Sequence, residues 1–500
     1  MKKLLYIFSL LAVSLSFVSC EPEFNNPLSE DVYHSGDADF STYVSVGNSL
    51  TAGYTNGTLY KSGQSMSFPK IVSEQMKLAG GGEFTQPYLD DDVNDVGGLL
   101  LGGNVIAAPK LVVDASQGTV EPINATPTIE VSNIHPGPYN NMGVPGAKIF
   151  HLLAPGYGNL SNLALGKANP YFVRMASAPN AMVIQDAAAK QPTFFTLWIG
   201  NNDVLSYATS GGVGTDQTGN QNVTTYGPND ITDPGVFAAA YQQLVDVLTS
   251  AGAKGVVATL PDVSSIPFFT TIPYNPIPLD QGTANALNGV YNAYNQGLQQ
   301  LVALNVITAA EAAQRTIQFS EGANAMVIED ETLTDLTAYN LPSIRQTTSS
   351  DLIVLTAKSV IGKPNPSNPQ LVYGLTAPLA DNWVLIPSEI DNIRTATTAY
   401  NAAIQQIATA KDLGLADMAG VVQKLHDKLS TEDGSIYTAD YFNGTNMDEL
   451  AFGLDGVHPN PRGYALIAND FIKVINAKYN ANLPLVNPSY YPVIPVVPSN

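Results

Sequence analysis

Two short, almost wholly apolar runs constrain the fold most: Thr193-Phe194-Phe195-Thr196-Leu197-Trp198-Ile199 and Lys254-Gly255-Val256-Val257-Ala258-Thr259-Leu260. Runs of this length without polar alternation suit strands buried on both faces, as in parallel sheets covered by helices. Between them, Pro234 to Ala251 carries Phe237, Tyr241, Leu244, Val245 and Leu248 at helical spacing, with Gly252 as a C-terminal stop. Strand, helix, strand predicts a right-handed parallel crossover and hence an α/β architecture. A third β-branched and aromatic run, Phe40 to Val46, ends at Gly47. Ser49 to Tyr54 follows and opens a helix, so a strand-turn-helix corner is predicted there.

The strand-helix units are interrupted twice. Residues from about 80 to 138 are rich in Gly, Asp, Asn and Pro, with short β-like pieces such as Lys110-Leu111-Val112-Val113. Residues from about 264 to 388 mix a helix, Thr283 to Leu304, with the strand-like segments Ala325 to Ile328 and Asp351 to Leu355. This second interval is expected to form a lid or subdomain. Helical spacing returns at Thr395 to Leu413, and again from Asn460 to about Tyr479. Because the units resume after each interruption, one domain over 39–480 with two insertions fits better than two independent domains. The expected fold is a three-layer α/β/α sandwich with a mainly parallel sheet, followed by an extended Pro-rich tail over 481–500.

Met1-Lys2-Lys3 and the apolar run Leu4 to Val18 have the form of a secretory signal, so 1–19 is expected to be removed. The only cysteine, Cys20, stands at its end in Phe17-Val18-Ser19-Cys20. That segment resembles the lipobox of bacterial lipoproteins, which implies a lipidated Cys20, a tether over 20–38 and an outer-membrane lipoprotein of the cell envelope, facing periplasm or cell surface. Phe17 departs from the aliphatic residue usual there. Loss of the signal leaves no thiol for a disulfide, so the fold must rest on its core. Apolar residues make up 45% of the chain and charged residues 13%, against roughly 25% in ordinary domains, which excludes a solvated disordered chain. A formal charge of −21 repels a phosphate backbone, so nucleic acid is not expected as a partner.

Four short segments supply the parts of an acyl-transfer enzyme. In Gly47-Asn48-Ser49-Leu50, a serine at a strand-to-helix corner presents its hydroxyl at the carboxyl edge of the sheet. In Asn141-Met142-Gly143-Val144-Pro145-Gly146-Ala147, glycines let backbone amides approach a ligand. Gly200-Asn201-Asn202-Asp203 follows a strand end, where an amide side chain can donate to a developing oxyanion. In Asp455-Gly456-Val457-His458-Pro459 the carboxylate can hold one ring nitrogen while the other faces the serine. Asn460 as N-cap and Pro461 at the first helical position place that loop directly before a helix. Taken singly, each segment also reads as an N-cap, a Gly-Pro turn or a polar turn.

Together, in this order, they resemble the SGNH hydrolase superfamily, which includes the GDSL lipases and esterases. Gly47-Asn48-Ser49-Leu50 matches the first block, Asn141 and Gly146 the second, Gly200, Asn202 and Asp203 the third, and Asp455 and His458 with Pro459 the fourth. The resemblance extends from about Ser41 to Ala477, with no counterpart for either insertion. It implies a flavodoxin-like sandwich and a serine esterase. Ser49 would be the nucleophile, His458 the general base and Asp455 its orienting partner, with the Ser49 and Gly146 amides and the Asn202 side chain as the oxyanion hole. Asn48 stands where the family usually has Asp, so a local hydrogen bond is kept and a charge is lost.

No metal or cofactor is expected: His34, His135, His151 and His426 lack ligand-like spacing and are read as structural. The expected partner is a small-molecule, glycan or lipid ester, with membrane contact only through the lipid on Cys20. The alternative from another class is a catalytically silent glycan-binding lipoprotein whose insertions carry aromatic platforms.

Overall fold

A computed structural model describes residues 33–431 and 433–497. The signal segment 1–19, Cys20 and most of the tether lie outside the described residues.

At the centre is a five-stranded, wholly parallel sheet. Its strands are β1 (Tyr43–Gly47), β2 (Asn141–Gly143), β3 (Phe194–Trp198), β4 (Lys254–Ala258) and β5 (Gly414–Ala416), in the order β2-β1-β3-β4-β5. The register pairs Gly47 with Gly143 on one side and with Trp198 on the other, so three strand ends finish level. Every residue of β1 and β3 is buried, which is why those runs carry no polar alternation. The polar members bond inside the sheet: the Tyr43 hydroxyl lies 2.8 Å from Thr196 Oγ1, which lies 2.8 Å from Ser45 Oγ.

Seven helices position the site: α1 (Ser49–Ala52), α2 (Phe68–Leu78), α3 (Asn202–Thr209), α4 (Pro234–Thr249), α5 (Pro387–Ala410), α6 (Met418–His426) and α7 (Pro461–Tyr479). Five of them form two packed groups. Helix α7 lies against α2 and along β5 and β4, with the Phe68 and Phe471 rings stacked at 4.8 Å. Helix α5 lies against α4 and α3, with Phe237 stacked on Tyr400 at 4.0 Å. Helix α5 begins well before the expected Thr395, because Pro387 sets the first-turn φ and the Glu389 carboxylate accepts the Ile386 amide at 2.8 Å.

The first insertion carries two hairpins, Leu99–Leu101 with Asn104–Ala107 and Leu111–Asp114 with Thr119–Pro122, and its Leu89, Leu99, Ile129 and Val131 share a small separate core with Ala52, Leu59 and Val173. The second holds a long helix, Gln281–Ala303, and several two- and three-residue strand pairs, and its apolar side chains join the main core. It is therefore continuous with the domain. Two edges differ from expectation. The tether ends earlier than residue 38: the Asp37 amide bonds the Tyr479 carbonyl at 2.7 Å, and the Asn482 amide bonds the His34 carbonyl at 2.9 Å. The tail is extended yet docked, with Val496–Val497 running parallel to Val113–Asp114 and Leu483 buried. Among the described residues, no helix is long and apolar enough to cross a membrane.

Candidate active site

Gly47 ends β1 where two backbones nearly touch: a Cβ there would sit 2.4 Å from the Trp198 carbonyl oxygen and 2.2 Å from Thr51 Oγ1. Only glycine permits the turn. The chain then enters α1, with the Asn48 side-chain oxygen accepting the Leu50 amide at 3.1 Å. Asn48 therefore does the capping work that an Asp would do, without charge, and it is fully buried. Ser49 is the first helical residue, so its amide has no acceptor within the helix.

The second half of the site arrives from the other end of the chain. Asn460 caps α7 by accepting the Gly463 amide at 2.8 Å, and its own amide group holds the Leu450 and Phe452 carbonyls at 2.9 and 3.2 Å. The loop 453–459 is thereby set before the helix. It is stitched to the segment after α1: the Leu454 amide bonds Asn56 Oδ1 at 2.9 Å, and the Tyr464 hydroxyl bonds the Tyr54 carbonyl at 2.6 Å.

This brings Ser49 Oγ to 2.9 Å from His458 Nε2, and His458 Nδ1 to 3.0 Å from Asp455 Oδ2. The other Asp455 oxygen accepts the Val457 and His458 amides, each at 2.9 Å. Burial by itself would raise the Asp455 pKa. The adjacent His458, its ring hydrogen bond and those amides more than offset this, holding the carboxyl below its ordinary value. An ionised carboxylate only accepts, so the ring proton sits on Nδ1 and Nε2 is free to accept from Ser49. Tyr54 lies over the imidazole with ring centroids 4.5 Å apart.

The loop leaving β2 is clamped beside the corner. The Val144 amide bonds the Gly47 carbonyl at 3.0 Å, and Asn169 Nδ2 bonds the Pro145 carbonyl at 2.7 Å. Asn202 Nδ2 donates to the Ala147 carbonyl at 2.9 Å, which spends one of its two N–H groups. Asp203 accepts the Ile149 amide at 3.0 Å and the Thr232 hydroxyl at 2.7 Å, and burial pushes its pKa up to about 6. The Asp of the third segment thus anchors this loop. Gly146, at φ 78°, is exposed on the same loop and is not on the pocket wall that carries Ser49 and Asn202.

That pocket encloses about 730 Å³ with its open mouth. Among the described residues lining it, the polar side chains are Ser49, Asn201, Asn202 and His458, besides the Trp198 indole, whose N–H is spent on the Thr259 carbonyl at 3.2 Å. A second, wider cleft is also lined by His458 and Val457 and is walled by both insertions. Tyr54, the Gly57 amide and helix α6 were invisible to sequence reasoning, because they carry no motif and act only by where they lie.

Of the remaining histidines, His151 bonds locally, its Nδ1 accepting the Lys148 amide at 3.0 Å, whereas His426 Nε2 lies 2.6 Å from the carbonyl of Ser265, 161 residues away along the chain. Glu331, Asp381 and Glu389 bring carboxylate oxygens within 4.8 Å of one another, outside the residues lining the Ser49 pocket. No protein-family model matches the chain, and no curated protein matches it.

Proposed function

We propose that the protein is a serine ester hydrolase of the SGNH type, built as a flavodoxin-like three-layer sandwich and cleaving carboxylic esters through an acyl-enzyme. The observation that carries this reading is the unbroken relay from Ser49 Oγ through the His458 ring to Asp455, with contacts of 2.9 and 3.0 Å. The strand order 2-1-3-4-5 supports it too. In such sheets ligands bind outside the carboxyl ends where the order reverses, between β1 and β3, and Ser49 and Asn202 follow those two strands.

His458 Nε2 takes the Ser49 proton while Oγ attacks the ester carbonyl carbon. The oxyanion is met by the Ser49 amide and the second N–H of Asn202, each donor lowering the barrier by roughly 3 kcal/mol, while Gly146, off that wall, is left without the donor role expected for it. His458 then protonates the alcohol oxygen as the C–O bond breaks, leaving the acyl group on Ser49. Water gives its proton to His458, attacks the acyl carbon and releases the acid, and the proton returns to Ser49.

The enzyme acts from the bacterial cell envelope through a lipid on Cys20, on acylated glycans or lipids. Wild type and Ser49→Ala, purified side by side, test the chemistry with a short-chain nitrophenyl ester and a fluorophosphonate probe. Turnover and covalent labelling in wild type alone are expected. Equal rates overturn the assignment, and absence of labelling under conditions that label a control esterase favours the silent glycan-binding alternative.

A further inference from the structure

His458 and Val457 line two cavities, the second carrying more polar groups than the first, and the chemistry decides which half of an ester each receives. The leaving alcohol must lie where His458 can protonate it. The wide cleft, about 1850 Å³ with its open mouth, is lined by His458 and Asp455 and not by Ser49. Its walls come from the first insertion (Leu111, Thr119, Val120), the second (Phe268, Lys358) and Tyr441. Aromatic and aliphatic groups alternate there with a cation, hydroxyls and an amide. The narrower pocket is lined by Ser49 and Asn202, so it opens at the carbonyl carbon itself. Beyond those groups its wall is hydrocarbon: Leu205 from α3, Val263 and Ile266, and Met418, Val422 and Leu425 from α6. A glycan or an acetyl group gains nothing from such a wall, whereas each methylene buried in it adds binding.

Resting on the hydrolase reading above, we infer that the substrate is an ester of an aliphatic acid of medium or greater chain length. The acyl chain runs into the α3/α6 pocket, and a bulky amphipathic alcohol sits in the cleft between the two insertions. Val422 from α6 and Leu205 from α3, both lining that pocket, are then specificity-determining. Both are only partly buried, so a larger ring there has an outlet toward solvent.

The test compares kcat/KM of the full chain on nitrophenyl acetate, butyrate and octanoate for wild type, Val422→Trp and Leu205→Trp. Melting curves and the stoichiometry of Ser49 labelling by a small dialkyl fluorophosphate accompany each variant. Wild type should gain up to roughly fourfold per added methylene, and at least one folded, fully labelled variant should lose tenfold or more in the octanoate-to-acetate ratio. A wild type that prefers acetate, or a ratio unmoved in both variants, overturns the acyl assignment while labelling leaves the hydrolase standing. No labelling of wild-type Ser49 overturns both.

Discussion

The Gly57 amide donates a 2.8 Å hydrogen bond to Oδ2 of Asp455, the same oxygen that faces His458 Nδ1. Two donors on one oxygen fix the carboxylate as an acceptor and the imidazole tautomer with it. Asp455→Asn replaces an acceptor by a group that can donate, which moves the ring proton to Nε2 and blocks acceptance from Ser49. At neutral pH kcat should fall by about 10⁴ with KM little changed. Steady-state kinetics with a nitrophenyl ester check this, and a loss below tenfold contradicts the role.

Asn202 spends one N–H on the Ala147 carbonyl and lines the pocket beside Ser49, where its other N–H is proposed to meet the oxyanion. Asn202→Ala should lower kcat by about 10²–10³ as an oxyanion donor is lost. A purely structural role would instead appear as a lower melting temperature with kcat reduced in proportion to unfolded protein. Kinetics and calorimetry on one preparation separate the two.

Glu389 lies buried against Gly212, and burial, with Asp381, Glu331 and Asp330 adding negative charge, pushes its pKa from 4.5 up to about 8 despite the Ile386 amide. Between those values the folded protein holds a proton that the unfolded chain has released. Its contribution is full below pH 4.5 and is lost as pH rises through 8. The wild-type melting temperature should therefore fall by a few degrees from pH 5 to 8. Glu389→Gln, which keeps an acceptor for the Ile386 amide, should remove most of that slope; an identical slope in the variant contradicts the assignment.

Arg345 is buried between two carboxylates in the second insertion, 2.6 Å from Asp330 and 2.7 Å from Asp351. Removing one partner leaves a buried charge undercompensated. Asp351→Ala should cost about 3–5 kcal/mol, read by urea denaturation, whereas breaking an exposed pair such as Lys61 with Asp90 should leave the denaturation midpoint nearly unmoved.

Local order was legible in the chain. The runs at Tyr43–Gly47, Phe194–Trp198 and Lys254–Ala258 are strands, and Pro234–Thr249 and Pro461–Tyr479 are helices, because burial on both faces or on one stripe leaves a direct imprint on residue type. Ser49, Asp455 and His458 could be picked out along the chain by residue type and local spacing, and they do come within hydrogen-bond reach of one another, with Asn202 lining the same pocket as Ser49 and His458. The edge strands Asn141–Gly143 and Gly414–Ala416 were not, being three residues each with no period to detect. Nor was the strand order, which depends on pairings between segments far apart in the chain, such as Tyr43 with Phe194 and Val256 with Gly414. The meeting of Ser49 with His458, 409 residues later, the clamping of the Gly146 loop by Asn202 and Asp203, and the hydrocarbon wall contributed by α6 exist only once the elements pack. Residue type is set by each residue's own burial, whereas a cavity belongs to no segment and is defined by the surfaces that several of them leave uncovered.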